Sequence, residues 1–354
     1  MPGPRTTAAT ICAALALALA CTGGSLAMVP SASSFEAVVP ARHATAPPLQ
    51  AWWSGFGDPT LDSLIAAATA PTHSAAPPRP LSATRAEIAV ALTYIALNVE
   101  TLSLRYIENA RSAVARQSQL MQQSKPLHDD FQKQLAQRHA NADDAIRKIQ
   151  AQRESHIAWL AAQCRLSEVA LRALVADTLQ GKALPRFALP VPSELPMALL
   201  ANRDDVDLAA SLYGIDAASA LDGVIATTGQ SDAGEPAQAE DSSAGYPLYP
   251  LVVEQARKEV SGALLSLQSQ SDATQAAYRR MLDAKDGFEL SKARHDRGQL
   301  SEVQLMEDFQ GLMLALQRLA VANGDLAVAW IAFLGSIGGD TSIQSTAAWH
   351  PERG

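Results

Sequence analysis

Cysteine is nearly missing from this chain, with three in 354 residues. Cys12, Cys21 and Cys164 make no disulfide framework and do not fall at metal-ligand spacing. Aromatic residues make up only 5%, too few for several β-rich cores. There is no basic run and the formal net charge is −8, which argues against nucleic acid as a partner because phosphates need a positive stripe. Among seven histidines none shows the spacing of a helical zinc motif. His139 and His295 are expected to be solvated at hairpin tips. Asp129-Asp130 and Asp143-Asp144 read as solvated turns or helix starts, not as an acid–base pair in a pocket. Gly181-Lys182 lacks the upstream glycine and following hydroxyl of a phosphate loop. No catalytic residue, metal or cofactor is assigned, and the chain is not expected to be an enzyme.

What is abundant is helix former: Ala, Leu, Gln, Glu and Arg. The clearest stretch covers residues 251–339. Val253, Ala256, Val260, Ala263, Leu264 and Leu267 recur at helical spacing before Arg294-His295-Asp296-Arg297-Gly298. Val303, Leu305, Leu312, Leu316, Leu319, Leu326 and Ile331 do so after it. Gly298 can take the left-handed conformation that ends a helix, Ser301 can cap the next, and Glu302 suits its first turn. The spacing predicts a hairpin of two arms of about 40 residues, roughly 60 Å long. Such a rod has no globular core, so its apolar seam needs a partner.

A second hairpin supplies one. Ile88, Ala91, Leu92, Ile95, Val99, Leu102 and Tyr106 share a face and lead toward Pro126. A further helical pattern from Leu135 through Leu171 closes near Gly181. Arg85-Ala86-Glu87-Ile88 parallels Arg257-Lys258-Glu259-Val260, and Ala158-Trp159 parallels Ala329-Trp330, which suggests one unit used twice. The first tip falls between 126 and 142, either near Pro126 or at Arg138-His139-Ala140-Asn141. Gln117, Gln119, Gln122 and Gln123 read as a polar face, able to line water in a tunnel.

The N-terminus carries an export signal: Arg5, an apolar run over 11–20 too short to span a bilayer, and Ala18-Leu19-Ala20 as a cleavage site. Cys21 follows directly. Such a cysteine resembles the lipid-attachment residue of a bacterial lipoprotein, although Ala18 stands where Leu is usual, so cleavage without lipidation stays open. The expected organisation is a signal peptide at 1–20, a tether at 21–48, a short helix at 49–70 and a proline-rich linker at 71–81. The first hairpin follows at 82–181, then a linker with a short helix and a loop at 182–246, the second hairpin at 247–339 and a tail at 340–354. Asp58 and Pro59 are a good start for the short helix, and Trp52 and Trp53 are expected to pack the end of the rod.

These pieces together resemble the TolC-like outer-membrane efflux family, in particular its lipoprotein branch. The resemblance rests on Ala20-Cys21, Trp52-Trp53 with Phe56-Gly57-Asp58-Pro59 and Leu64-Ile65, and Leu195-Pro196 through Arg203-Asp204-Asp205-Val206, with Asp204 in place of Pro. The fourth element is Arg294 through Ser301, with Leu334-Gly335 and Gly338-Gly339 closing it. It implies a homotrimer whose hairpins build a periplasmic tunnel and dock the periplasmic adaptor of an inner-membrane pump. Arg294, Gly298 and Ser301 match the docking tip, Gln304 and Glu307 the tunnel constriction, and Cys21 the lipid attachment. The expected location is the outer membrane, on its periplasmic face. The fold class expected is mainly α: two long antiparallel hairpins, coiled-coil-like, with β-barrel strands absent or vestigial. The best strand candidate is residues 221–228, one short piece where two strand pairs of about ten residues per strand would be needed. The implied function is an outer-membrane channel subunit of a tripartite exporter. The alternative is a barrel-less, lipid-anchored helical scaffold.

Overall fold

The structure, a computed structural model, describes residues 52–70, 80–123, 129–181, 184–194, 200–201, 203–217, 221 and 248–337. Among these residues every regular element is helical and no strand occurs. A short 3-10 turn, Trp52–Phe56, precedes α1 (Pro59–Thr69). Then come α2 (Pro80–Gln123) and α3 (Asp129–Cys164), the small helices α4 (Glu168–Leu174), α5 (Ala176–Leu179) and α6 (Asp204–Ser211), and finally α7 (Tyr249–Asp296) and α8 (Glu302–Ser336). The architecture is the pair of long helical hairpins expected from sequence.

Local chemistry explains where these helices begin. Asp58 accepts from Thr60 N at 2.8 Å and Leu61 N at 3.3 Å, with Pro59 at the first helical position. Packing explains why the long ones persist. On α7, Val253, Val260, Leu267, Thr274, Met281 and Phe288 recur every seven residues. Three residues after Val253, Val260, Thr274 and Met281 stands an alanine: Ala256, Ala263, Ala277 and Ala284. A strict seven-residue repeat of this kind keeps one seam facing a partner as the helices coil.

The four long helices lie side by side in the order α3–α2–α8–α7. Neighbours run antiparallel: Arg116 meets Glu302 at one end of the α2–α8 seam, and Ile88 faces Gly335 at the other. Thr274 Oγ1 donates to Ala322 O at 2.9 Å across α7–α8. By length and composition α2 and α8 could each cross a membrane. They are the two central helices of the row, so contact on both sides accounts for their apolar character.

The main core sits at the end of the row where α1, α4, α5 and α6 pack. Trp52 and Phe56 are buried there. Phe56 lies 5.1 Å from Phe187, which stacks on Trp330 at 4.3 Å. Tyr94 Oη donates to Asp58 Oδ2 at 2.8 Å, and Thr178 Oγ1 sits 2.9 Å from the same phenol oxygen. Burial pushes that phenol up to about 12. Arg203, from the Leu195–Val206 motif, donates to Ser336 O at 2.6 Å and to Asp205 and Glu259 at 2.8 Å each. One guanidinium thereby ties α6, α7 and the negative end of α8 together.

Several expectations are corrected. α2 ends at Gln123 and α3 begins at Asp129, so Arg138 to Asn141 belong to the interior of α3 and His139 is not a tip residue. Asp143 and Asp144 are also mid-helix, paired with Arg111 and Lys148 at 2.8 and 2.6 Å. The return arm does not run unbroken to Gly181: Arg165 takes φ 54° and ends α3, and Ser167 starts α4 by accepting from Ala170 N at 3.2 Å. Gln117 is fully buried instead of solvated, while Gln119 and Gln122 are exposed. The two repeated tryptophans diverge as well. Trp330, on a central helix, is 3% exposed and Trp159, on an edge helix, 36%. Cys21, the signal, the tether and residues 222–228 of the strand candidate lie outside the described residues.

Candidate docking tips and tunnel wall

The turn between α7 and α8 is built by three short-range devices. Gly298 takes φ 71°, and its N–H donates to His295 O at 2.8 Å while Gln299 N donates to Arg294 O at 2.9 Å. Those bonds satisfy the last carbonyls of α7. Ser301 Oγ then accepts from Gln304 N at 3.2 Å to start α8. His295 Nδ1 lies 3.0 Å from Leu300 O, which braces the turn from within. An L side chain at φ 71° is strained. Gly298→Ala is therefore expected to cost about 1 kcal/mol, read as a lower urea midpoint with an unchanged slope.

A small core backs the turn. Phe288 and Phe309 have ring centroids 5.5 Å apart and pack with Leu305, Leu312, Met313 and Ala113. Ala113 belongs to α2, so the second tip leans on the first hairpin. Arg116 of α2 adds a two-pronged contact to Glu302, Nε–Oε1 3.0 Å and Nη2–Oε2 3.4 Å. Sequence reasoning misses this tie because the two residues stand far apart in the chain and Arg116 belongs to no motif.

Arg294 and Ser301 are exposed on either side of Gly298, so the structure brings all three expected docking residues into one turn. Gln304 and Glu307 sit one to two turns along α8, three residues apart on one face. That face, continued by Gly311 and Arg318, turns away from both α7 and α2 and looks out of the plane of the row. Gln304 is exposed and Glu307 half-buried.

The first hairpin overhangs the second. Arg116 is level with the start of α8, and α2 continues to Gln123, about 10 Å further. In that overhang a groove of about 660 Å³ opens between α2 and α3, lined by Met121, Gln122, Leu135, Ala136, His139 and Asp143 among others. Asp143 accepts from Arg111 at 2.8 Å and stands 3.0 Å from His139 Nδ1. The Arg111 guanidinium holds its carboxyl below the usual range.

A row of four antiparallel helices with a compact base matches known channel structures. CusC, from crystal structures describing conformational changes that accompany folding and transmembrane channel formation, superposes with a TM-score of 0.58 at 14% identity, over 82% of this chain and 98% of that one. The fold is that of the TolC-like outer-membrane channels. The outer-membrane channel OprN gives a TM-score of 0.53 at 15% identity over 82% of this chain and 92% of its own. The Campylobacter jejuni CmeC outer membrane channel gives 0.51 at 12% identity, over 90% and 95%. No family profile and no curated protein matches the sequence. The TolC-like likeness is one of helical architecture. Among the described residues this chain has no cluster of three His, Cys, Asp or Glu side chains that could hold a metal ion.

Proposed function

We propose that this chain is the outer-membrane component of an export assembly. It would work as a trimer whose helical rows close a periplasmic tunnel and dock a periplasmic adaptor and inner-membrane pump through their tips. The observation that carries this reading is the single-layer row: α3 and α7 each have one long neighbour, leaving an open edge on either side for adjacent subunits. In it, Arg294, Gly298 and Ser301 form the docking turn, and Gln304 and Glu307 line the narrow end of the tunnel. One of these last two is neutral, which weakens the constriction relative to a pair of carboxylates. Cys21 carries the lipid that holds the chain at the outer membrane.

One observation favours a second reading, a lipid-anchored scaffold that spans no bilayer. α1 ends at Thr69 and α2 begins at Pro80, so residues 70–79 alone separate them. A transmembrane strand pair needs about 20 residues plus a turn. One pair per subunit is missing at this place, and open sheet edges are not tolerated in hydrocarbon. Planar-bilayer conductance of the purified mature protein, with its mass measured in the same detergent, separates the readings. Stable open-channel steps from a trimer support the channel. A folded trimer without conductance supports the scaffold, and a monomer that never associates overturns the tunnel wall in both.

A further inference from the structure

Glu100 lies on the face of α2 that meets α3, and its side chain is 3% exposed. Its Oε2 is 2.9 Å from His156 Nδ1 on α3, and its Oε1 is buried without a hydrogen-bond partner. Arg153, one turn earlier on α3, is the other charge that faces it. The α8 segment level with Glu100 is neutral from Leu319 to Gly324, with Arg318 and Asp325 at its two ends. Around the base, Asp58 and Tyr94 engage each other, Arg105 reaches Gly181 O at 3.4 Å, Arg172 of α4 is held by Glu154 on the exposed side of α3, and Asp177 of α5 is exposed. Burial raises the Glu100 carboxyl above its ordinary range, and His156 and Arg153 pull it back.

The pair occupies a boundary. On one side is the main core, which holds Ile157, Leu160 and Cys164 of α3 against α1 and α2. On the other, α2 and α3 share the small cluster of Leu104, Ile107, Ile146 and Ile149 and the Arg111–Asp143 contact before the overhang groove. A polar contact here decides whether the long, thinly packed part of the hairpin stays closed.

We propose that Glu100 and His156 form a protonation-controlled latch that fastens α3 to α2 where the first hairpin leaves the base. An ionised Glu100 buried here with Oε1 unpaired costs free energy. A proton on its carboxyl gives a neutral acid hydrogen-bonded to the imidazole, which is cheaper to bury. The closed hairpin binds that proton more tightly than an opened one does, because the closed-state carboxyl sits above its ordinary value. Closure is therefore favoured as pH falls through the closed-state value, and the advantage is lost as pH rises through it. The window ends near the ordinary carboxylate range of about 4, where Asp143 and Asp205, held below it by Arg111 and Arg203, begin to protonate.

Amide hydrogen exchange on the full chain at about pH 5.5 and about pH 7.5, corrected for intrinsic rates, tests the latch. In the unaltered protein, residues 131–150 should exchange several-fold more slowly at the lower pH. Glu100→Gln should slow them at both pH values and abolish the difference, whereas His156→Gln, which removes a group that pulls the carboxyl back down, should keep or enlarge it. His139→Asn, which alters the exposed pair on the same helix, should leave the response intact. A pH response that survives Glu100→Gln, disappears in His139→Asn, or is absent from the unaltered protein overturns the proposal. If Glu100→Gln does not fold, His156→Gln carries the test, and loss of the pH response in that variant overturns the proposal.

Discussion

Gly324→Leu should destabilise the rod at its centre, by about 3 kcal/mol. Gly324 is on α8 where that helix crosses Val99 of α2, and a Cβ there would stand 2.3 Å from Val99 Cγ2. Valine is stiff about its first torsion and cannot swing aside. The two central helices must separate instead, which loosens dispersion contacts along the seam they share. Alanine at the same position is a milder test, because its helix propensity returns about 1 kcal/mol against the overlap. Val99→Ala should largely rescue either variant. A urea-denaturation cycle followed by helical circular dichroism measures the coupling. Strict additivity would show that the close approach is not what the glycine is for.

Phe288→Ala should cost about 3–5 kcal/mol at the tip without a comparable loss at the base. Phe288 is 1% exposed in a cluster separate from the main core. Between them the α7–α8 seam is held by the small cluster of Ala277, Met281, Ala315 and Leu319. Emptying the tip cluster therefore leaves nothing nearby to collapse into the space. Hydrogen exchange should accelerate over residues 285–312 while α1 stays protected. Equal acceleration in both places would mean that the rod opens as one unit. If the tip docks an adaptor, the same variant should weaken that binding while Arg294 and Ser301 remain in place.

The second tip is legible in the sequence because its signals are local: a glycine, a hydroxyl cap and an acidic residue within five positions. The first tip is ambiguous there because Arg138 to Asn141 imitates such a turn, and only the packing of α3 against α2 shows it to be helix interior. Arg165 cannot be read at all, since a left-handed arginine leaves no mark in composition. Gln117 looks solvated for a related reason. Its burial comes from packing that the pattern of its own helix does not show. Glu100 and His156 escape notice in the same way, each ordinary on its own helix and meaningful only across the seam. Arg203 stands within a motif, but its role at the end of α8 requires Ser336 and Glu259 to be placed beside it.

The spacing of seven along α7 has a geometric consequence for any assembly. An ideal α-helix drifts by about 20° per heptad from such a repeat, so holding the seam in contact forces a left-handed winding with a pitch of about 150 Å. At 48 residues, α7 is about 70 Å long and travels through roughly half a revolution. A wound row presents edges that spiral, so a neighbouring chain can follow them only by adopting the same pitch and the same vertical offset. A copy displaced by one turn of helix would lose contact progressively toward the far end. In the proposed trimer the mouth formed by the tips would thus be geared to the base: a change in winding at one end would appear as a change of aperture at the other.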